Sequence, residues 1–229
     1  MKHIAIIPAR SGSKGIKNKN IKKLHKKPLF IYSLEKAIKS KIFDHVIVSS
    51  DHEKILQICK TYKNVISLKR PRKYSTDHSK TESALIHACQ YVQKKINYKP
   101  DVIFTLEPTS PLRSKKNIID AYNALSTNSF DSVISVSSSK KSIGVIKNKR
   151  FIFSSKERLN KSRRQDRKPI YFECGTLYAT RYDVLINKNS VLGNHIYPLV
   201  VSREESLDIN EPFDFLMIEK ILKMKKKHD

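Results

Sequence analysis

A mostly parallel α/β sheet with helices on both faces is the fold class that this 229-residue sequence predicts. Three observations carry the prediction. Short apolar runs, Ile4-Ala5-Ile6-Ile7, Val46-Ile47-Val48 and Val102-Ile103-Phe104, have strand length and read as strands buried on both faces. Segments with apolar residues at helical spacing alternate with them, which is the rhythm of a parallel sheet. A loop of small and basic residues follows the first run directly, at a strand's carboxyl end, where such sheets place their ligands.

The first strand stops at Pro8. In the loop behind it, Gly12 and Gly15 are expected to take positive φ and to let backbone N–H groups approach an anion. Arg10, Lys14 and Lys19 add fixed charge. G-x-x-x-x-G-K-[ST] and G-x-G-x-x-G are both absent, so the loop is neither a Walker A loop nor a dinucleotide fingerprint. Leu29 to Lys41 reads as a helix, with Pro28 near its start and Phe30, Leu34, Ala37 and Ile38 on one face. After the second strand, Ser50 to Glu53 has the form of a capping box, with Asp51 as a further capping candidate. Its helix carries Ile55, Leu56, Cys59 and Tyr62. Val65-Ile66 is a short third strand. A second S-x-x-E, Ser79 to Glu82, opens the helix of Leu85, Ala88, Cys89, Val92 and Ile96. The Val102 strand ends at Pro108 and Pro111, and Ile118, Ile119, Tyr122 and Leu125 mark the next helix. Val133-Ile134 is a strand. The rhythm then breaks. Ile143–Ile146 and Phe151–Phe153 look like a hairpin, and the charged stretch Ser154 to Lys168 follows it. Thr176–Ala179 and Leu199–Val201 return as strands. Asn210 is the expected N-cap of a last helix through Phe213, Leu216, Met217 and Ile221, ahead of a lysine-rich tail. The expectation is one domain over residues 1–229, with an inserted flap at approximately 138–170.

Composition narrows the function. The formal net charge is +25, but the lysines are spread over every helix. No arginine- and aromatic-rich stripe appears, which argues against a nucleic-acid interface and for a basic surface that attracts anionic substrates. No apolar run approaches the roughly 18 residues that span a bilayer. Cys59, Cys89 and Cys174 are far apart and odd in number, as reduced cytosolic thiols would be.

Chemistry-bearing residues gather at the strand ends: Arg10, Ser11, Ser13 and Lys14; Ser50 and Asp51; Glu107, Thr109, Ser110 and Arg113; Glu173, Cys174 and Asp208. Cations suited to phosphates meet carboxylates suited to Mg²⁺, and that pairing points to phosphoryl or nucleotidyl transfer.

The opening loop, Arg70-Pro71 with Asp77, Leu106-Glu107-Pro108-Thr109-Ser110-Pro111-Leu112-Arg113, Arg164-Gln165 with Pro169 and Tyr171, Gly175 with Tyr178, and Ser206-Leu207-Asp208-Ile209 occur in this order. In these motifs the chain resembles the acylneuraminate cytidylyltransferases. The resemblance covers nearly the whole chain, apart from the segment around Lys140 to Arg163. It implies a cytoplasmic, homodimeric enzyme of Rossmann-like fold that moves CMP from CTP onto the anomeric hydroxyl of a 3-deoxy-2-ulosonic sugar acid. Arg10, Lys14 and Lys19 would hold the triphosphate, with N–H groups from Ser11, Gly12, Ser13 and Lys14. Asn20, Arg70 and Asp77 would serve the nucleotide. Glu107, Thr109, Ser110, Arg113, Arg164, Gln165, Tyr171 and Cys174 would serve the sugar. Asp208 and Asn210 would hold Mg²⁺, and the hairpin would reach over a partner's site. Three positions depart from the family pattern. Glu107 replaces Gln, Cys174 replaces Asn, and Asn210 replaces Asp. The rival readings are a nucleotidyltransferase for another anionic acceptor and a non-catalytic nucleic-acid-binding protein on the same fold.

Overall fold

The computed structural model describes residues 1–12, 15–155, 160 and 163–225. Its centre is a seven-stranded sheet. The strands in chain order are β1 (His3–Pro8), β4 (His45–Ser50), β5 (Val65–Lys69), β6 (Val102–Thr105), β7 (Ser132–Ser139), β10 (Ile170–Arg181) and β11 (Ile196–Val200). Across the sheet the order is β11-β7-β10-β6-β1-β4-β5. β10 runs antiparallel to both β6 and β7, and the other pairings are parallel.

Side chains on a strand alternate between faces, and β1 shows what that does here. Ala5 and Ile7 join Val46, Val48, Val102 and Phe104 under α1 (Leu29–Ser40), α2 (Glu53–Lys60) and α4 (Lys115–Ser126). Ile4 and Ile6 join Ile47 and Ile103 under α3 (Thr81–Ile96) and α5 (Tyr182–Lys188). Helices therefore cover both faces, as the unbroken apolar runs require. The last helix, α6 (Pro212–Lys225), packs Phe215 and Ile218 on Leu24, Leu29 and Ile209. Leu24 belongs to a small ribbon, β2 (Lys23–Leu24) with β3 (Lys27–Pro28), that the sequence pattern did not announce.

The hairpin is present as a separate sheet, β8 (Gly144–Lys147) with β9 (Arg150–Phe153). Its two loop residues, Asn148 and Lys149, both have left-handed φ, 50° and 61°. That conformation matches the right-handed twist of a tight hairpin.

Both expected capping boxes are corrected. α2 starts after His52 and has no side-chain cap; the Ser50 hydroxyl accepts from the N–H of His52, outside the helix. α3 starts after Lys80. Ser79 accepts from the Thr76 N–H and donates to the Lys73 carbonyl, which braces the preceding loop. A capping box does occur at α4, where Ser114 and Asn117 exchange hydrogen bonds. At α6 the Asp214 carboxylate accepts from the N–H groups of Asn210 and Glu211, so Asp214 does the work expected of Asn210.

Candidate active site

The carboxyl ends of β1, β4, β5 and β6 open on one edge. Because β10 is antiparallel, its first half lies beside them. Each strand delivers its chemistry there for a local reason. Leaving β1, Ser11 donates through its N–H and its hydroxyl to the Asp51 carboxylate, at 2.7 and 2.5 Å. Asp51 thus anchors the loop instead of capping α2. Arg10 turns across to Asp77, at 3.0 Å, and to the Thr76 carbonyl. Arg70, at the end of β5, is buried and donates to the Ser49 hydroxyl and carbonyl. Burial pulls its guanidinium down to about 10.

The glycines serve a different purpose from the one expected. None of the five has positive φ. A Cβ on Gly15 would overlap the Asn210 carbonyl oxygen, so glycine is needed for close backbone approach. The Asp208–Asn210 segment is tied in twice more. Lys19 Nζ donates to the Ile209 carbonyl at 2.7 Å, and the Ile209 N–H donates to the Thr109 carbonyl. Asn20 donates to the Arg10 carbonyl, while its buried Oδ1 has no partner among the described residues.

Two cavities meet on this edge. The smaller, about 210 Å³, is lined by cations (Arg10, Lys19, Arg70, Lys80) together with Asn20. The larger, about 410 Å³, is lined by Glu82, Glu107, Glu173 and Asp208, with Tyr178 and the 190–192 turn. Thr81, Glu107 and Thr109 border both. Burial first, and the Asp208 carboxylate second, push the Glu107 carboxyl up to about 7, against the pull of Arg113, Arg70 and Lys19. Asp208 is steadied by the Ser110 hydroxyl at 3.2 Å.

Several expected site residues stand elsewhere. Arg113 is buried, and its guanidinium donates to the Thr176 carbonyl, the Ser33 hydroxyl and the Glu107 carbonyl. It holds the 107–113 loop and lines neither cavity. Cys174 points into the core beside Thr176, because its neighbours Glu173 and Gly175 take the cavity face of β10. Asn210 is exposed and lines neither cavity, so the carboxylate that shares the larger one with Asp208 at the junction is Glu107. Asp77 is paired with Arg10 at the rim. Gln165 and Tyr171 lie on the hairpin side, Tyr171 in a groove of about 490 Å³ with Ile143 and Phe172. Gln165 contributes its carbonyl to Lys140. Ser13, Lys14 and the Arg164 side chain lie outside the described residues. The motifs did not single out Thr81 or Glu82 for the site, and Tyr178 stood in a motif without a role. Glu173 is among the strand-end residues that the sequence offered, and the structure places it on the cavity face of β10.

A sequence profile described as cytidylyltransferase matches residues 4–225. The chain belongs to the cytidylyltransferase family. Among its cytidylyltransferase relatives, the N-acylneuraminate enzyme of Escherichia coli O18:K1:H7 is 31% identical over 221 residues, 93% of this chain and 50% of the relative. The pseudaminic acid cytidylyltransferase of Campylobacter jejuni strain 81-176 is 30% identical over 213 residues, covering 92% and 91%. The post-translational flagellin modification protein B of Campylobacter coli is 26% identical over 232 residues, covering 97% and 95%. The chain thus spans about half the length of the N-acylneuraminate relative and nearly all of the other two. A solved CMP:2-keto-3-deoxy-manno-octonic acid synthetase complexed with CTP shares the cytidylyltransferase fold at TM-score 0.73, with 15% identity over 98% of this chain and 100% of that one.

Proposed function

We propose that this chain transfers CMP from CTP to the anomeric hydroxyl of a 3-deoxy-2-ulosonic, sialic-acid-like sugar acid and releases pyrophosphate. One observation carries the reading. A cation-lined cavity and a larger carboxylate-lined cavity meet at Glu107 and Thr109. The relatives named for N-acylneuraminate and pseudaminic acid support the acceptor class.

The roles follow from charge. Arg10, Lys19 and Arg70 neutralise the triphosphate and take up the negative charge that grows on departing pyrophosphate. The Oδ1 of Asn20, without a partner among the described residues, accepts from the nucleoside. The sugar lies in the larger cavity with its anomeric hydroxyl at the junction, in line with the α-phosphorus and the leaving group. Mg²⁺ fits the donor set, because Glu107 at the junction and Asp208 in the larger cavity offer hard carboxylate oxygens. Asp208 is the first choice of ligand and Glu107 the second, in place of the exposed Asn210. When bound, the ion adds positive charge to the phosphate oxygens.

The enzyme works as a cytoplasmic homodimer in this reading. The hairpin supports the dimer: Ile146 is 79% exposed, and Val145, Phe151, Ile152, Tyr171 and Phe172 also face solvent. Such a patch marks an interaction surface.

The test is pyrophosphate release from CTP and Mg²⁺ with N-acetylneuraminate, other nonulosonates and 3-deoxy-octulosonate. Release with CTP but not ATP, and with one of these acceptors, is the expected result. Release only with a non-ulosonate acceptor, or salt-sensitive RNA binding without any release, would overturn the reading.

A further inference from the structure

The two cavities divide charge sharply. Arg10, Lys19, Arg70 and Lys80 all line the smaller one, and among the described residues no lysine or arginine lines the larger. This is unexpected in a chain with 46 Lys and Arg against 21 Asp and Glu. Glu107 at the junction and Asp208 beside it in the larger cavity are accounted for by the cation they would hold. Glu173 and Glu82 are not, and neither takes part in an ion pair among the described residues. Glu173 is also held in place. The Tyr178 hydroxyl donates to its Oε1 at 2.7 Å, which leaves Oε2 to accept from whatever fills the cavity.

The proposed chemistry orients the occupant. In a 2-ulosonic acid the carboxylate is bonded to the anomeric carbon. With the anomeric hydroxyl at the junction, that carboxylate stays near the cationic cavity. The rest of the sugar extends toward Glu173, Tyr178 and the 190–192 turn. A neutral substituent there would strip water from Glu173 and offer no counter-charge, a loss that a charge-assisted hydrogen bond reverses.

We propose that the acceptor carries a protonated nitrogen, an amine or an amidine, on the part remote from the anomeric carbon, and that Glu173 recognises it with Glu82 adding to the field. Glu173 is then a specificity-determining residue. This rests on the cytidylyltransferase reading above.

The test compares kcat/KM, with CTP and Mg²⁺, for N-acetylneuraminic acid and two basic derivatives of it. One is the 9-amino-9-deoxy sugar. The other carries a 5-acetamidino group in place of the acetamide. The expected result is that one basic acceptor is preferred by tenfold or more. The preference should lie in KM and fall above the pKa of the added nitrogen. In Glu173→Gln, which keeps the Tyr178 contact and the side-chain size, the preference should collapse to within about twofold, with circular dichroism checking the fold. Glu82→Gln should lower it less. Equal or better use of the N-acetyl sugar by the parent, or a preference that Glu173→Gln leaves in place, overturns the inference while the transferase stands. Silence with all three acceptors and with the wider acceptor panel overturns both.

Discussion

Gly15 and Glu107 are two residues whose identity is decided by a neighbour far along the chain. At Gly15 the neighbour is the Asn210 carbonyl. Gly15→Ala must push that segment away, so KM for CTP should rise tenfold or more and stability should fall by about 1–3 kcal/mol in urea melts. At Glu107 the neighbours are a desolvating pocket and Asp208, which raise its carboxyl to about 7. The folded chain therefore binds this proton more tightly than the unfolded chain does. Glu107 weakens the fold progressively as pH rises from its unfolded value, about 4.3, through 7. In Mg²⁺-free buffer, Glu107→Gln should gain stability over the parent between pH 5 and pH 8. Differential scanning calorimetry at the two pH values checks this, and an unchanged difference would refute it. Both positions were visible in the sequence as unusual residues, but their reasons were not. Positive φ is the common reason for a loop glycine, whereas close approach to a residue 195 positions away leaves no local trace. Cys174 is a third such residue. The resemblance assigns it to the sugar, and only the extension of β10 back to Ile170 shows that alternation turns it into the core.

Helices and strands obeyed their periodicities, and most of their ends did not obey the capping patterns. The reason is competition. Ser50 and Ser79 each have a local N–H to accept from outside their helix, and they take it. Ser114 faces no such rival and forms the reciprocal pair with Asn117. Ser114→Ala should cost about 1 kcal/mol of stability by chemical denaturation, the usual worth of an N-cap. The strands were legible as apolar cores but extend further at their ends. β10 runs from Ile170 to Arg181, though only Thr176–Ala179 carried a clear signal. Its first half is polar or exposed because it borders the larger cavity and the hairpin, so function erases the pattern there. The two-residue ribbon β2–β3 is too short for any periodicity to show.

The strand order belongs to the whole molecule, and no local pattern states it. β10 enters antiparallel between β6 and β7, and that insertion brings Glu173 to the cavity that Glu107 also lines. The net charge of +25 also acts at this scale. It should draw CTP in from a distance, so kcat/KM for CTP should fall severalfold between 50 and 500 mM salt. A flat salt profile in steady-state assays would remove that role. The exposed hairpin predicts assembly. Charging it with Ile146→Asp and Phe151→Asp should turn a dimer into a monomer in light scattering, with the circular dichroism spectrum unchanged. The contact between Gly15 and Asn210 has one more consequence, and it concerns timing. On the ribosome, β1 and its loop emerge long before the segment that packs on Gly15, 195 residues further along. The nascent chain can pair β1 with β4 and β6 and tie Ser11 to Asp51 long before, but Gly15 lacks its Asn210 contact until residue 210 is free. Synthesis should therefore pass through a partly folded state in which CTP binding is weak, and full activity should arrive once residue 210 has packed.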